Sequence, residues 1–284
     1  MAISRTQLVK ELEPGLNALF GLEYKRYENQ HAEIYTTESS DRAFEEEVML
    51  SGFANAQVKA EGQGISFDDA QETYTARYTH DTIALAFAIT EEAIEDNLYD
   101  RLASRYTKAL ARSMSNAKQV KAVSPLINGL PSTDNYDSGD AVSLFSTNHA
   151  TVSGTAVSNT LTTQADLNET SLEQALIDIA AMTDERGLRI AAKAVKMIVP
   201  SANQFAAERL LKSQGRTGTA DNDISAVVSM GMVPQGYRVN NFLTDSDSWY
   251  IITDVPNGMK HFQRAALKTA MEGDFDTGNV RYKA

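Results

Sequence analysis

The chain has 284 residues, 42% of them apolar, which is enough for one large domain or two modest ones and too apolar for a disordered chain. It contains no cysteine, so a disulfide scaffold, a thiolate metal site and a Cys nucleophile are excluded. The formal net charge is −12 and no Lys/Arg block occurs, which argues against a protein built to grip nucleic acid, because phosphate binding is driven by Lys and Arg replacing counterions.

Met1 to Lys10 has no apolar core of signal-peptide length, and the longest unbroken apolar stretch, Ile83 to Ile89, is far too short to span a bilayer. A soluble chain folding in a reducing cytoplasm is expected. Residues 1–47 show little sustained periodicity. Pro14-Gly15 should break a helix begun at Arg5, and Phe20, Tyr24, Tyr27 and Tyr35 are scattered, so the segment reads as an extended arm with short helical pieces or as an ordinary N-terminal subdomain. Val48 to Glu72 carries Gly52, Gly62 and Gly64, with Ile65 and Phe67 alternating beyond them; a long, loosely packed β-hairpin is predicted. Such a hairpin buries little of its own surface and needs a partner to cover it. Thr73 to Ala88 reads as one long strand, with Tyr74, Ala76, Tyr78 and His80 on one face.

Thr90 has the chemistry of an N-cap, with Glu91 and Glu92 in the first turn. Ile94, Leu98, Leu102, Tyr106, Leu110 and Met114 then recur every four residues, and no Gly or Pro interrupts before Pro125. A helix from Thr90 to about Val120 would be about 45 Å long, with its stripe on a sheet and its other face wet. Leu130 to Thr163 is polar and predicts loops and short strands. Thr170-x-x-Glu173 reads as a capping box for a helix carrying Leu172, Leu176, Ile179 and Met182 and ending at Gly187. Ala194 to Val199 is a buried strand stopped by Pro200. Ser201-x-x-Gln204 should cap a helix through Leu210, stopped by Gly215. A flexible loop over Gln214 to Asp223 and a strand over Trp249 to Thr253 follow. The tail alternates weakly and ends in mid-strand at Val280-Arg281-Tyr282, as a clipped chain would.

Enzyme constellations do not emerge. His31, His80, His149 and His261 are far apart and none sits in a metal-spacing motif; each reads as a surface or satisfied histidine. There is no nucleophile elbow and no P-loop, since Gly215-Arg-Thr-Gly218 lacks a following Lys-Ser/Thr. Asp276-Thr277-Gly278 spells the aspartic-protease tripeptide but reads better as a turn. Asp245-Ser-Asp247 lacks the twelve-residue calcium-loop pattern, and Asn168-Glu-Thr170 is a glycosylation sequon by spelling only. No catalytic, cofactor-binding or metal residue is assigned, and no cofactor is expected.

The order of parts is arm, glycine-bearing hairpin, long strand, very long helix, compact α/β domain and return strands. In that order stand Ala60-Glu-Gly-Gln-Gly-Ile-Ser-Phe67, Thr90-Glu-Glu-Ala-Ile-Glu-Asp-Asn-Leu-Tyr99, Ser143-Leu-Phe-Ser-Thr-Asn-His149, Gly218-Thr-Ala-Asp-Asn-Asp-Ile224 and Ser248-Trp-Tyr-Ile-Ile-Thr-Asp254. Together they resemble the major capsid protein of tailed double-stranded DNA phages, the Hong Kong 97 type, and are similar to Mu-like major head subunits. The resemblance covers nearly the whole chain and implies an α+β capsid fold. It assigns 1–47 to an N-terminal arm, 48–72 to an extended loop lying over a neighbouring subunit, and 73–123 to a peripheral domain with a spine helix. It assigns 124–243 to an axial domain and 244–284 to strands returning to the peripheral domain. The implied partners are other copies of the chain in pentamers and hexamers, a portal, a separate scaffolding protein, a cement protein, and DNA enclosed without sequence-specific binding; no membrane is involved. No long scaffolding segment precedes the arm, and relatives usually run on past Ala284. The implied inter-subunit contacts are Phe53, Val58, Lys59, Ile65 and Phe67. Some relatives join a loop lysine to a neighbour's asparagine; Lys59 would be that lysine and Asn240 or Asn241 the acceptor by position. No base to deprotonate the amine is identifiable, so a solvated lysine is the expectation. An encapsulin-type nanocompartment shares the fold, and a soluble hydrolase is the enzyme alternative. The long loop and arm disfavour the first, and the lack of paired acids, a nucleophile or a metal cluster disfavours the second.

Overall fold

The computed structural model describes residues 5–90, 92–93, 99–130, 137–216, 223–274 and 278–284. Glu91, Ile94 and Leu98 of the expected long helix, the centre of the 214–223 loop and Asp276-Thr277 lie outside the described residues, as does the side chain of Leu102.

Helix α1 (Arg5–Arg26) runs straight through Pro14. A mid-helix proline removes one backbone hydrogen bond and costs about 3 kcal/mol. The break expected at Pro14-Gly15 is nevertheless absent, because the helix beyond it is held by packing. Leu16 and Phe20 are buried, and full burial of such side chains is worth about 1.5–3 kcal/mol each. Lys25 and Arg26 complement the helix dipole in the last turn. The N-terminal segment is therefore one long helix, followed by a 3-10 turn (Gln30–Glu33) and strand β1 (Thr36–Ser39).

Strands β2 (Phe44–Leu50) and β3 (Glu72–Thr79) pair antiparallel, with a register shift between Val48 and Leu50. The hairpin expected over Val48 to Glu72 is displaced outward: its paired legs flank that segment, and 51–71 forms the connection. The single strand expected over Thr73 to Ala88 is two strands, β3 and β4 (Ala86–Ile89), because the chain changes partner between them. Helix α2 (Tyr99–Ile127) has 29 residues and is about 43 Å long, ending a full two turns beyond the expected Val120 with Pro125 in its last turn.

The α2 stripe differs from the four-residue repeat. A helix returns every 3.6 residues, so a strict repeat of four drifts off the face. The buried positions of its first half are Ala103, Thr107, Leu110, Ala111 and Met114, while Tyr106 is 47% exposed. Its last turns bury Gln119, Val123 and Leu126 on a different face.

Two-residue strands β5 (Asp137–Ser138) and β6 (Val142–Ser143) lie in the polar stretch, as expected of loops and short strands. Helix α3 (Glu169–Ala181) is capped two residues before Thr170: the Asn168 carboxamide accepts from the Ser171 amide at 2.9 Å, and the Ser171 hydroxyl accepts from the Asn168 amide at 3.0 Å. The helix ends at Ala181, not Gly187; Gly187 sits in the following turn with φ 84°. Strand β7 (Ala194–Val199) stops at Pro200 as expected. Helix α4 (Gln204–Lys212) follows a 3-10 turn over Ser201–Asn203, and Ser201 makes no capping bond. A short helix α5 (Ala226–Ser229) and strands β8 (Tyr237–Val239), β9 (Tyr250–Thr253), β10 (Lys260–Gln263), β11 (Ala270–Gly273) and β12 (Val280–Lys283) complete the chain.

Three buried clusters result. In the sheet β8-β7-β9, β7 is central and alternates its side chains. Met197 and Val199 face α3 and α4 residues such as Leu172, Leu176 and Ala207. Ile198 faces the opposite way, into a cluster with Ile34, Val123, Leu126 and Leu243. The third cluster joins Leu16 and Phe20 of α1, Ala103, Leu110, Ala111 and Met114 of α2, and Ile89 and Tyr282 of the sheet β11-β12-β4. Helix α2 thus enters two cores with two faces and couples the α/β unit to the helix-and-sheet unit. Its main companion in the second unit is α1, a helix, rather than the sheet alone. Asn17 fastens that unit: its carboxamide oxygen accepts from the Tyr282 hydroxyl and the Thr269 hydroxyl, each at 2.8 Å. Parallel pairing of β1 with β10 ties the N-terminal segment to the C-terminal one.

Candidate assembly surface

The loop 51–71 carries the apolar residues singled out from the sequence, and it does not bury them. Phe53 is 61% exposed, Val58 98%, Ile65 74% and Phe67 96%. Leu50 at its base is 62% exposed. Lys59 is also exposed. A turn at the tip, where the Gln63 amide donates to the Ala60 carbonyl, uses Gly62 at φ 80°, a conformation that favours glycine. Several exposed large apolar side chains on one loop are a feature of interaction sites.

The base of the loop is held by a clamp that the sequence did not reveal. The turn after α3 is shaped by Asp184, whose carboxylate accepts from the Arg186 amide at 3.0 Å and the Leu188 amide at 2.7 Å. This turn presents Glu185 and Arg186 to the loop. The Glu185 carboxylate accepts from the Gly52 amide at 2.6 Å. The Arg186 guanidinium donates to the Gly52 carbonyl at 3.1 Å, the Ser51 hydroxyl at 3.3 Å and the Asp69 carbonyl at 2.7 Å. Both legs are therefore gripped by one side chain. Beyond the clamp one further cross-link occurs, from the Ala54 amide to the Asp68 carboxylate at 2.7 Å, and that hydrogen bond holds the Asp68 carboxyl below its usual range. Only a helical spacing or a metal motif would have flagged a residue like Arg186, and it sits in neither.

The legs are tied to their surroundings by charge. Arg77 pairs with Glu46 and stands 4.4 Å from the Phe44 ring centroid, while Lys260 of β10 pairs with Glu47. The Lys260 ammonium pKa is raised, chiefly by its hydrogen bond to Glu47.

The two asparagines proposed by position for a cross-link part company. Asn240 is 2% exposed, its amide donates to the Val199 carbonyl, and its side-chain oxygen accepts from the Phe242 amide at 2.9 Å. Its carboxamide is buried within the single subunit. Asn241 is exposed, with its backbone amide donating to the Gln30 side chain at 2.9 Å.

The histidines are not all isolated. His31 and His261, distant in sequence, meet with ring centroids 5.3 Å apart, and the Nδ1 atom of each is buried without a hydrogen-bond partner. Both pKa values are lowered, first by burial and then by the nearby Lys118. His149 Nδ1 lies 2.8 Å from the Asp140 carboxylate, and His80 bonds the Ser40 hydroxyl at 3.0 Å. Among the described residues no group of three or more His, Asp or Glu side chains could hold a metal ion. No described helix is long and apolar enough to cross a membrane.

What these parts offer is a surface for association. Comparison with known proteins agrees in fold. A chain from the capsid of bacteriophage JBD30 decorated with minor capsid protein trimers is similar with a TM-score of 0.56 at 12% identity, over 77% of this chain and 92% of that one. A chain from the JBD30 procapsid gives 0.55 at 13% identity, over 85% and 100%. A chain from the capsid of Myoviridae phage XM1 gives 0.50 at 12% identity, over 88% and 82%. No curated protein matches the sequence. The profile of the phage capsid proteins matches residues 73–284, about three-quarters of the chain, with α2, the central sheet and the return strands inside it; the chain belongs to the phage capsid protein family.

Proposed function

We propose that the chain is the major head subunit of a tailed phage, a structural protein without catalytic activity that assembles with itself into an icosahedral shell around double-stranded DNA. Pentamers and hexamers are its working units, the virion capsid is its location and the host cytoplasm its place of assembly. A portal, a separate scaffolding protein and a cement protein complete the set of partners. Residues 48–72 serve as the extended loop, 73–123 with 244–284 as the peripheral domain, 124–243 as the axial domain and 1–47 as the N-terminal arm.

The observation that carries this reading is the loop. Phe53, Val58, Ile65 and Phe67 lie exposed beyond a clamp at the loop's base. Leaving apolar surface in water costs about 25 cal/mol per Å², and docking on a neighbouring subunit removes that cost. Sedimentation velocity of the purified chain, with and without its scaffolding protein, tests the reading. Closed or tubular assemblies are expected; a compact monomer under every salt and scaffold condition contradicts it.

A further inference from the structure

Helix α2 carries Arg101, Arg105, Lys108, Arg112, Lys118 and Lys121 against the single acid Asp100, in a chain whose net charge is −12. The basic residues stand three or more positions apart, so no block is visible in the sequence. In a helix, spacings of three and four bring side chains onto one face. Arg105, Lys108 and Arg112 form such a row. All three are exposed, and none has an ion-pair or hydrogen-bond partner among the described residues.

The row borders a shallow groove of about 570 Å³ between α1 and α2. Lys108, Arg112, Ser113 and Asn116 line it from α2, and Glu23 of α1 and Tyr27 just after that helix line it from the other side. The one acid there is already answered: the Glu23 carboxylate accepts from the Tyr27 hydroxyl at 3.2 Å and lies 3.6 Å from the Arg26 guanidinium. That leaves Lys108 and Arg112 as the cations of the lining not offset by Glu23. The groove is thus a concave surface of donors with a positive edge on an otherwise acidic chain.

We infer that this groove is a sequence-independent contact for the phosphate backbone of duplex DNA. Its donors are Lys108 and Arg112, with Arg105 next to Lys108 on the same face of α2. Lysine and arginine bind phosphate by displacing condensed counterions, which needs charge and donors but no base contacts. The competing occupant is the acidic and apolar loop of a second copy, with Glu61, Asp68, Asp69 and Glu72. The groove suits it less, because its lining holds no large aliphatic side chain, only Ala109 and the Tyr27 ring among charged and polar residues, too little to seat Phe53, Val58, Ile65 and Phe67. The inference rests on the reading of the chain as a shell subunit that encloses DNA. The surrounding acid keeps such contacts individually weak, so the DNA remains free to move.

The test is fluorescence anisotropy of a short labelled duplex with the full-length subunit between about 50 and 200 mM salt. The wild type is compared with K108Q/R112Q and with K268Q/K283Q, two exposed lysines off the groove. Circular dichroism checks folding, and electron microscopy of the same preparations checks assembly. Weak binding by the wild type is expected, with the logarithmic salt slope falling by about 0.9 for each phosphate contact removed. In K108Q/R112Q the slope should drop by close to two such steps while assembly and folding persist; K268Q/K283Q should match the wild type. An unchanged slope in a folded K108Q/R112Q overturns the inference, as does no duplex binding by the wild type at the lowest salt. Loss of assembly with DNA binding intact also overturns it and assigns the groove to a second copy. If K108Q/R112Q does not fold, R105Q alone should lower the slope by one step, and no change there overturns the inference. Failure of any of these leaves wild-type shell formation untouched, so it is distinct from failure of the shell reading.

Discussion

Arg186 holds the loop from both legs through three hydrogen bonds. Hydrogen bonds from a charged group contribute about 1.5–3 kcal/mol each when buried, and less when partly exposed as here. Arg186→Ala should therefore leave the subunit folded, with an unchanged far-UV spectrum, and loosen 51–71 without touching the cores. Limited proteolysis near Gly62 is the measurement, and faster cutting of the variant than of the wild type is expected. His31 and His261 make a second prediction at this scale. Both stay neutral in the fold, because burial and Lys118 depress their pKa values below the ordinary 6.5. The unfolded chain therefore binds more protons as pH falls through 6.5, and stability declines from there toward the lowered native values. Above that range both states are neutral and the pair contributes no pH dependence. Urea unfolding of the subunit should show that decline as pH falls, and it should shrink in His261→Phe. A decline of the same size in the variant would place its source elsewhere.

At the scale of elements, the loop's exposed side chains predict a change that separates folding from assembly. Phe67→Ala removes a ring that is 96% exposed, so the isolated subunit should unfold at the same urea concentration as the wild type. The same change should lower shell yield or shell stability toward denaturant. A Phe67→Ala subunit that unfolds more readily would mean the ring belongs to its own subunit's core. Several elements were legible before the structure. The run Ala194 to Val199 closed by Pro200 is the central strand, and the glycines and alternating apolar residues of 48–72 marked a segment that cannot bury itself. Others were not, for identifiable reasons. Pro14 reads as a breaker because its cost is local, while the packing of Phe20 on Tyr282 is tertiary. Thr170 and Asn168 are both recognised cap types, Asn the better of the two, and the geometry uses Asn168. The buried stripe of α2 changes face midway because the helix serves two cores, and no single periodicity describes that. The clamp at Arg186 and the pairing of His31 with His261 join residues far apart in sequence, so neither had a local signal.

At the scale of the whole molecule, α2 is the member through which the parts communicate. It lies under α1 and the sheet β11-β12-β4 at one end and against Ile198 and Leu243 at the other. Val123 is fully buried in the second of these cores. Val123→Ala should cost about 1–3 kcal/mol through lost burial and a small cavity, read as a lower unfolding midpoint, whereas a change on the loop should not. Among the described residues the subunit thus combines packed cores with the exposed loop 51–71, a division of labour that suits a shell. A cryo-electron microscopy reconstruction of the assembled particle tests that account most directly. The account predicts a closed shell in which residues 51–71 cross onto an adjacent subunit and bury Phe53, Val58, Ile65 and Phe67 there. A particle in which that loop folds back onto its own subunit and leaves the neighbour uncovered would contradict it.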